Sequence, residues 1–367
     1  MQSKDQLRQQ ANLRYLNEGK NFSFGDISQC PLPLADLAQL NTNSAGVEAT
    51  LSSGLTAVVY KLCVADKCYA IKQARHECLV RNDDGKTSFL NELQRHAEIR
   101  TLRAHGATFP GVIAPIYGDL QAGVIVSKWI EGARVAAFNR RQLAQVFATG
   151  RALVEQGFFE WDYCSGNILD DGAQTWLFDF GYMYRFDPLR ECNSGGDGTN
   201  VPMFHLAERI ESRNVFSWLL DVETATDVAA ALDEFRMVKE VALDCYRQWH
   251  DNIAAWGASA LALGWISGCM RTWEQALAGD LRTLYFAEAW RSHTFDLNDD
   301  LHGQSCTQKT LLRTDWLIEA ARTAHLQLQA SGALSAAEAR CDQTQLLARY
   351  QQARLQVEAF LLKNGAA

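Results

Sequence analysis

Positive charge is in short supply. There are 35 Lys plus Arg against 43 Asp plus Glu, a formal net charge of −8 at pH 7. Nucleic-acid binding is dominated by Lys and Arg neutralising phosphates, so no such partner is expected. Proline is scarce, with six in 367 residues, and 47% of the chain is hydrophobic. That argues against disorder and suits a helix-rich globular protein long enough for two lobes or two domains. The ten cysteines include no C-x-x-C pair and no Cys/His metal spacing. In a chain of this length they predict reduced thiols, with Cys63, Cys68 and Cys78 as small core residues, and a cytoplasmic location. The first twenty residues are polar and lack the apolar centre of a signal peptide.

A strongly apolar run is also missing. Asn252 to Met270 carries no charge over nineteen positions, and Gly264 and Gly268 form a G-x-x-x-G. The stretch is mostly Ala, Gly and Ser, with too little Leu and Ile for a membrane span, and predicts a buried helix or helical hairpin.

What the sequence does have is concentrated between Gly157 and Phe186. Asp162 and Asn167 stand in a D-x-x-x-x-N spacing, followed by two apolar runs and Asp179-Phe180-Gly181. Ile168-Leu169 and Trp176-Leu177-Phe178 predict two short strands joined at Asp170-Asp171-Gly172, which would bring Asn167 and Asp179 together. Phosphoryl transfer needs a carboxylate to orient the attacking hydroxyl, a task that suits Asp162. It also needs hard oxygen ligands for Mg²⁺, and Asn167 and Asp179 can supply them. Either short motif alone would read as a turn and a surface carboxylate; their order and the hairpin between them make the pattern specific.

These residues resemble the protein-kinase-like superfamily, which includes aminoglycoside and sugar phosphotransferases, lipopolysaccharide core kinases and protein kinases. The resemblance implies an α+β, bilobal fold with a small β-rich lobe and a large helical lobe, with ATP and Mg²⁺ as cofactors. Upstream, Val58–Val64 and Cys68–Lys72 predict a hairpin turning at Ala65-Asp66-Lys67. Ala70-Ile71-Lys72 is similar to the V-A-I-K strand, so Lys72 would contact the α- and β-phosphates. Ser52, Gly54 and Ala57 fall at the three glycine positions of the phosphate-covering loop. All three are small enough for the backbone to approach phosphate. Lys72 then needs an acid from the next helix, expected over Ser88 to His105 with Ser88 as N-cap. Glu98 is the chosen partner on its distance from Phe109-Pro110, with Glu92 as the alternative.

Val112–Gly118 and Gly123–Ser127 predict the last strands of the small sheet. Lys128-Trp129-Ile130-Glu131-Gly132 resembles the family's hinge, where backbone groups at Lys128 and Ile130 would hold adenine and Ser127 would back its pocket. Arg140 to Gln156 has Leu143, Val146, Phe147, Leu153 and Val154 at helical spacing. The expected organisation is a helical extension over 1–46, a small lobe over 47–131 and a large lobe over 132–367. The large lobe would hold a catalytic loop at 160–181 and a divergent helical region at 188–367.

Several family features are absent. Glu160-Trp161 precede Asp162 where His-Arg or His-Gly is usual. The missing arginine argues against control by a phosphorylated activation loop, and Trp161 is expected to fill the histidine's space. Cys164 stands where protein kinases carry lysine, and no A-P-E follows. Cys192–Asn200 reads as a flexible loop, with Ser194 and Thr199 as its hydroxyls, and helices are expected over 221–249, 253–278, 281–292, 310–330 and 335–362. His293, Asp296, Asp299, Asp300 and His302 read as a loop between helices. The resemblance implies transfer of the γ-phosphate of ATP to a hydroxyl-bearing acceptor: a small molecule, a sugar or lipopolysaccharide, or a protein Ser/Thr. A nucleotide-binding pseudokinase, motivated by the depleted glycine loop and Glu160-Trp161, and an enzyme transferring AMP to protein on the same fold are the alternatives.

Overall fold

In the computed structural model, residues 2–362 are described. They form a mixed α+β structure in which a small antiparallel sheet precedes a larger helical part. Alternating side chains direct the sheet's packing. Its strands are β1 (Ser23–Gly25), β2 (Val47–Leu51), β3 (Ala57–Val64), β4 (Lys67–Ala74), β5 (Tyr117–Asp119) and β6 (Val124–Lys128), in the order β1-β5-β6-β4-β3-β2. Tyr60, Leu62, Ile71 and Val126 pack with Leu37 of the short helix α2 (Leu34–Ala38). Ile125 packs on the other face with Phe24 and Leu93. Residues before Val47 therefore do more than form a helical extension: β1 pairs with β5 at the sheet edge. The expected strand over Val112–Gly118 is shorter, beginning at Tyr117, while Val112 makes a lone bridge to Leu177.

Helix α1 (Lys4–Asn17) is capped by Ser3 and ties the two parts together. Lys4 pairs with Glu191 at 2.5 Å, and the Lys4 N–H donates to the Gly196 carbonyl. Arg8 lies 3.5 Å over the Tyr184 ring and donates to Asp84 at 3.0 Å.

The helix after β4, α3 (Asp83–Ala104), starts five residues before the expected Ser88. Asn82 is its N-cap, accepting from the Gly85 N–H, and the Ser88 hydroxyl bonds the Gly85 carbonyl inside the helix. The β3–β4 hairpin turns at Ala65 and Asp66, both with positive φ, the conformation that matches strand twist in a two-residue turn. Cys63 and Cys68 face each other in its register and form a disulfide, which corrects the expectation of reduced core thiols at these positions.

Two small ladders organise the start of the helical part. β8 (Phe158–Glu160) pairs with β11 (Met183–Arg185), and β9 (Ile168–Asp170) pairs with both β10 (Thr175–Leu177) and β7 (Ala133–Arg134). Helix α4 (Arg140–Glu155) buries Leu143, Val146, Phe147, Leu153 and Val154, the stripe its periodicity implies.

The remaining helices are α5 (Leu206–Ile210), α6 (Phe216–Ala225), α7 (Val228–Ala255), α8 (Ala260–Ala278), α9 (Leu281–Gly303), α10 (Gln308–Thr323), α11 (His325–Ala330) and α12 (Gln343–Ala359). A π-helical turn, Glu211–Val215, joins α5 to α6. The uncharged stretch Asn252–Met270 is a helical hairpin, the end of α7, a turn with Gly257 at φ +81° and the start of α8; only Ile253, Ala262 and Ile266 in it are buried. Among the described residues no helix is long and apolar enough to cross a membrane. Helix α9 departs most from expectation, running eleven residues past Ser292 through the polar cluster. Cys192–Asn200 is likewise not an open loop: the Asn193 amide donates to the Val201 and Phe204 carbonyls, and Ser194 is buried.

Candidate active site

The strand alternation that buries Ile71 turns Lys72 to the face covered by α3. Its ammonium lies 2.6 Å from Glu92 Oε2 and 2.8 Å from Asp179 Oδ1. Burial alone would lower the Lys72 pKa; Asp179 and Glu92 outweigh it and hold it above the ordinary lysine value. Burial alone would raise the Glu92 carboxyl, but Lys72 and His96 bring it down to about 2. The His96 ring packs between Phe24 and Phe180, with Nε2 3.6 Å from Glu92.

The partner of Lys72 is Glu92, and the expectation of Glu98 is corrected. Six residues along a helix turn a side chain by about 240°, so the two glutamates face different ways. Glu98 accepts from Arg95 at 2.7 Å and lies 3.8 Å from Arg185, 40% exposed. Distance from Phe109-Pro110 does not fix which face of α3 a glutamate occupies, and the face toward Lys72 carries Glu92.

The β9–β10 hairpin forms as its turn sequence implies. The Asp171 carboxylate accepts from the Ala173 and Gln174 N–H groups, and Leu177 pairs with Ile168. The Phe178 N–H then donates to the Asn167 carbonyl at 3.2 Å, setting Asn167 beside the chain that leads to Asp179. Asp179 has φ +66°, a left-handed conformation uncommon outside glycine. Burial raises its carboxyl; Lys72 offsets part of this, while the charges of Glu92 and Asp162 add to it. Next in the chain, Phe180 is fully buried. A Cβ on Gly181 would sit 3.1 Å from Ser88 Cβ, so only glycine lets this turn rest on α3 without displacement. The Asn91 side-chain nitrogen lies within hydrogen-bond reach of the Phe180, Gly181 and Met183 carbonyls.

Asp162 is held from three sides. Its N–H donates to Glu160 Oε1 at 2.7 Å, its Oδ2 accepts from the Asn167 amide at 3.3 Å, and its Oδ1 accepts from Arg213 Nε at 3.0 Å. Glu160 is buried, and burial, with the charges of Asp162 and Asp179, raises its carboxyl well above the usual range. The inner support of this loop is thus Glu160. Trp161, expected there, instead donates to Ser194 and packs on Phe159 and Phe204.

Ser52 and Gly54 lie in the turn between β2 and β3, and Ala57 opens β3. Arg75 bonds the Ser52 and Gly54 carbonyls, and a Cβ on Gly54 would come within 2.8 Å of the Ala57 carbonyl. Lys128 ends β6 opposite Tyr69, with Ile130 half-buried beyond it. The Trp129 N–H is taken by the Cys68 carbonyl at 2.9 Å, which removes that amide as a ligand donor.

Arg213 was missed, and the acids around it, Asp296, Asp299 and Asp300, lie in helix α9 and not in the expected loop. Arg213 sits in the π-helical turn and also reaches Asp296 of α9, which Arg313 of α10 contacts from the other side. Asp299 lies 4.0 Å from it. The signal available in the sequence was His293, Asp296 and Asp300 at i, i+3, i+7, one face of a continuous helix.

Asn167 and Asp179 fit a small hard cation. The Asn167 amide nitrogen turns to Asp162, leaving its oxygen as a donor, and Asp179 adds a carboxylate in a surplus of acid. No protein-family model matches the chain, and no curated protein matches it in sequence.

Proposed function

We propose that this protein is an ATP- and Mg²⁺-dependent phosphotransferase of the protein-kinase-like class, acting on a hydroxyl-bearing acceptor. The observation that carries this reading is the Lys72 ammonium clamped between Glu92 and Asp179, with Asp162 and Asn167 hydrogen-bonded to each other on the adjoining loop. Lys72 would bind the α- and β-phosphates as a point charge whose direction Glu92 fixes. Ser52, Gly54 and Ala57 would let backbone cover the phosphates, and the segment from Lys128 to Ile130 would hold the base. Asn167 and Asp179 would hold Mg²⁺, which supplies positive charge against the phosphate oxygens.

Asp162 orients the acceptor hydroxyl. The hydroxyl oxygen forms a bond to the γ-phosphorus, the bond to the β–γ bridging oxygen breaks, and that electron pair leaves on ADP. The hydroxyl proton passes by way of the Asp162 carboxylate to solvent.

The test is incubation of the protein with Mg²⁺ and γ-labelled ATP, beside Asp179→Ala, with a cell extract split into protein and small-molecule fractions. Label transferred by the wild type alone is the expected result, and the labelled fraction gives the acceptor class. AMP attached to protein would favour nucleotidyl transfer. Mg²⁺-dependent nucleotide binding without turnover would leave a nucleotide-binding scaffold.

A further inference from the structure

We propose that Arg213 is the positioning residue for the Asp162 carboxylate, so that the helical region beyond residue 188 completes the active site. This rests on the phosphotransferase reading. Asp162 has two carboxylate oxygens, and each has its own donor: Asn167 on Oδ2 and Arg213 Nε on Oδ1. Asn167 lies five residues away in the same loop, whereas Arg213 comes from fifty-one residues along the chain. The loop between Asp162 and Asn167, Tyr163 to Gly166, contains no cationic side chain of its own.

The backbone carrying Arg213 is built for a special direction. Glu211–Val215 is a π-helical turn, in which the Phe216 N–H bonds the Glu211 carbonyl. Such a turn inserts one residue into a helix and rotates the side chains that follow. The Ser212 carbonyl within it accepts from Arg313 Nη2 at 3.3 Å, and the Ser212 hydroxyl donates to Glu208 at 2.6 Å. The guanidinium is then fixed at its far end by Asp296, which is itself held by Arg313. Asp162, Arg213, Asp296 and Arg313 thus alternate in sign from the site into the helical core. Asp299 at 4.0 Å adds a further acid beside Arg213, and the Thr310 hydroxyl donates to the neighbouring Asp300. A guanidinium with two forks can hold a carboxylate and be held by another, which a lysine cannot match.

The experiment is a double-mutant cycle on label transfer from Mg²⁺ and γ-labelled ATP to the extract fraction that accepts it, with Asp162→Asn, Arg213→Met and both. Arg213→Met should lower kcat on the order of 10²-fold, the cost of a misplaced catalytic group, with Mg²⁺·ATP affinity retained as the sign of a folded protein. Arg213→Lys should recover part of the loss. In the double variant Arg213→Met should add nothing to Asp162→Asn, because residues acting as a unit are not additive. Additive losses, or an unchanged kcat in Arg213→Met, would overturn the proposal. If Arg213→Met does not fold, Arg213→Lys and Asp296→Asn carry the same cycle. Full activity in Asp179→Ala, or no transfer by the wild type, would instead sink the phosphotransferase reading itself.

Discussion

The two halves of the candidate site are built in different ways. On the sheet side, Lys72 is aimed by strand alternation and Glu92 by one helix packed across the strand, within twenty residues of each other. On the helical side, Asp162 is held by Arg213, and Arg213 by Asp296, across separations of 51 and 83 residues. The first half is a product of local periodicity. The second exists only once several helices have packed, and it depends on an irregular turn. Functional groups set by regular elements leave a pattern in the sequence, whereas groups set by an irregularity leave almost none.

The largest effect that sharpens this contrast lies where the halves meet. Asp162→Ala should reduce turnover by about 10²- to 10⁴-fold, the usual value of a positioned acid–base group, measured as initial rates of label transfer. Retained activity would remove Asp162 from its role and leave the helical half without a function. Next, Glu92→Gln should lower turnover roughly 10- to 100-fold, the equivalent of a charge-assisted hydrogen bond worth about 1.5–3 kcal/mol. Glu98→Gln should leave it nearly unchanged. The reverse ranking would place the true partner of Lys72 on the other face of α3.

The halves should also separate in acid. His205, against the Tyr246 hydroxyl, is lowered from 6.5 to about 3 by burial and by the charges of Lys239, Arg291 and Arg209. A depressed folded-state value contributes stability that is complete above the unfolded value and is lost as pH falls from about 6.5 toward 3. Glu92 behaves in the same sense, but its loss spans only 4.5 to about 2. The helical part should therefore weaken first. Urea midpoints between pH 7 and 4 should fall in the wild type and be flatter in His205→Gln; equal slopes would refute this. The smallest effect belongs to the turn end of the β3–β4 hairpin. The Cys63–Cys68 bond closes so short a loop that its reduction to two thiols should cost no more than about 2 kcal/mol. It should leave label transfer unaltered, and a large loss of activity on reduction would mean that the hairpin acts on Lys72.

Legibility in the sequence follows the same division. Lys72, Asp162, Asn167 and Asp179 could be singled out because each sits in or beside a short apolar strand bounded by turn residues. Asp171 could be read as a turn former, and the structure uses its carboxylate for that purpose. Glu98 is favoured by its distance from Phe109-Pro110, a count that carries no information about which face of α3 meets the strand. The disulfide was illegible because the expected three-residue turn, Ala65-Asp66-Lys67, sets Cys68 opposite Val64, whereas the two-residue turn at Ala65-Asp66 sets it opposite Cys63. β1 was hidden by its three-residue length. Helix α9 was broken in reading at His293 because five polar residues resemble a loop, although three of them, His293, Asp296 and Asp300, are spaced along one helix face. Trp161 and Glu160 exchanged roles because nothing local says which of two neighbours points inward.

The docking of α1 sets an order of events during synthesis. Lys4, Asp5 and Arg8 take their partners from Tyr184, Glu191 and Gly196, which are translated nearly two hundred residues later. At ribosomal speeds of about 5–20 residues per second that interval is roughly 10–40 s. Through that time the polar contacts of Lys4, Asp5 and Arg8 with this later segment are unmade. The helix can meet Asp84 of α3 early, but its contacts with Tyr184, Glu191 and Gly196 come late. Tyr184 and Glu191 lie just beyond Asp179, so the clasp closes only after the Lys72–Asp179 centre has all of its residues.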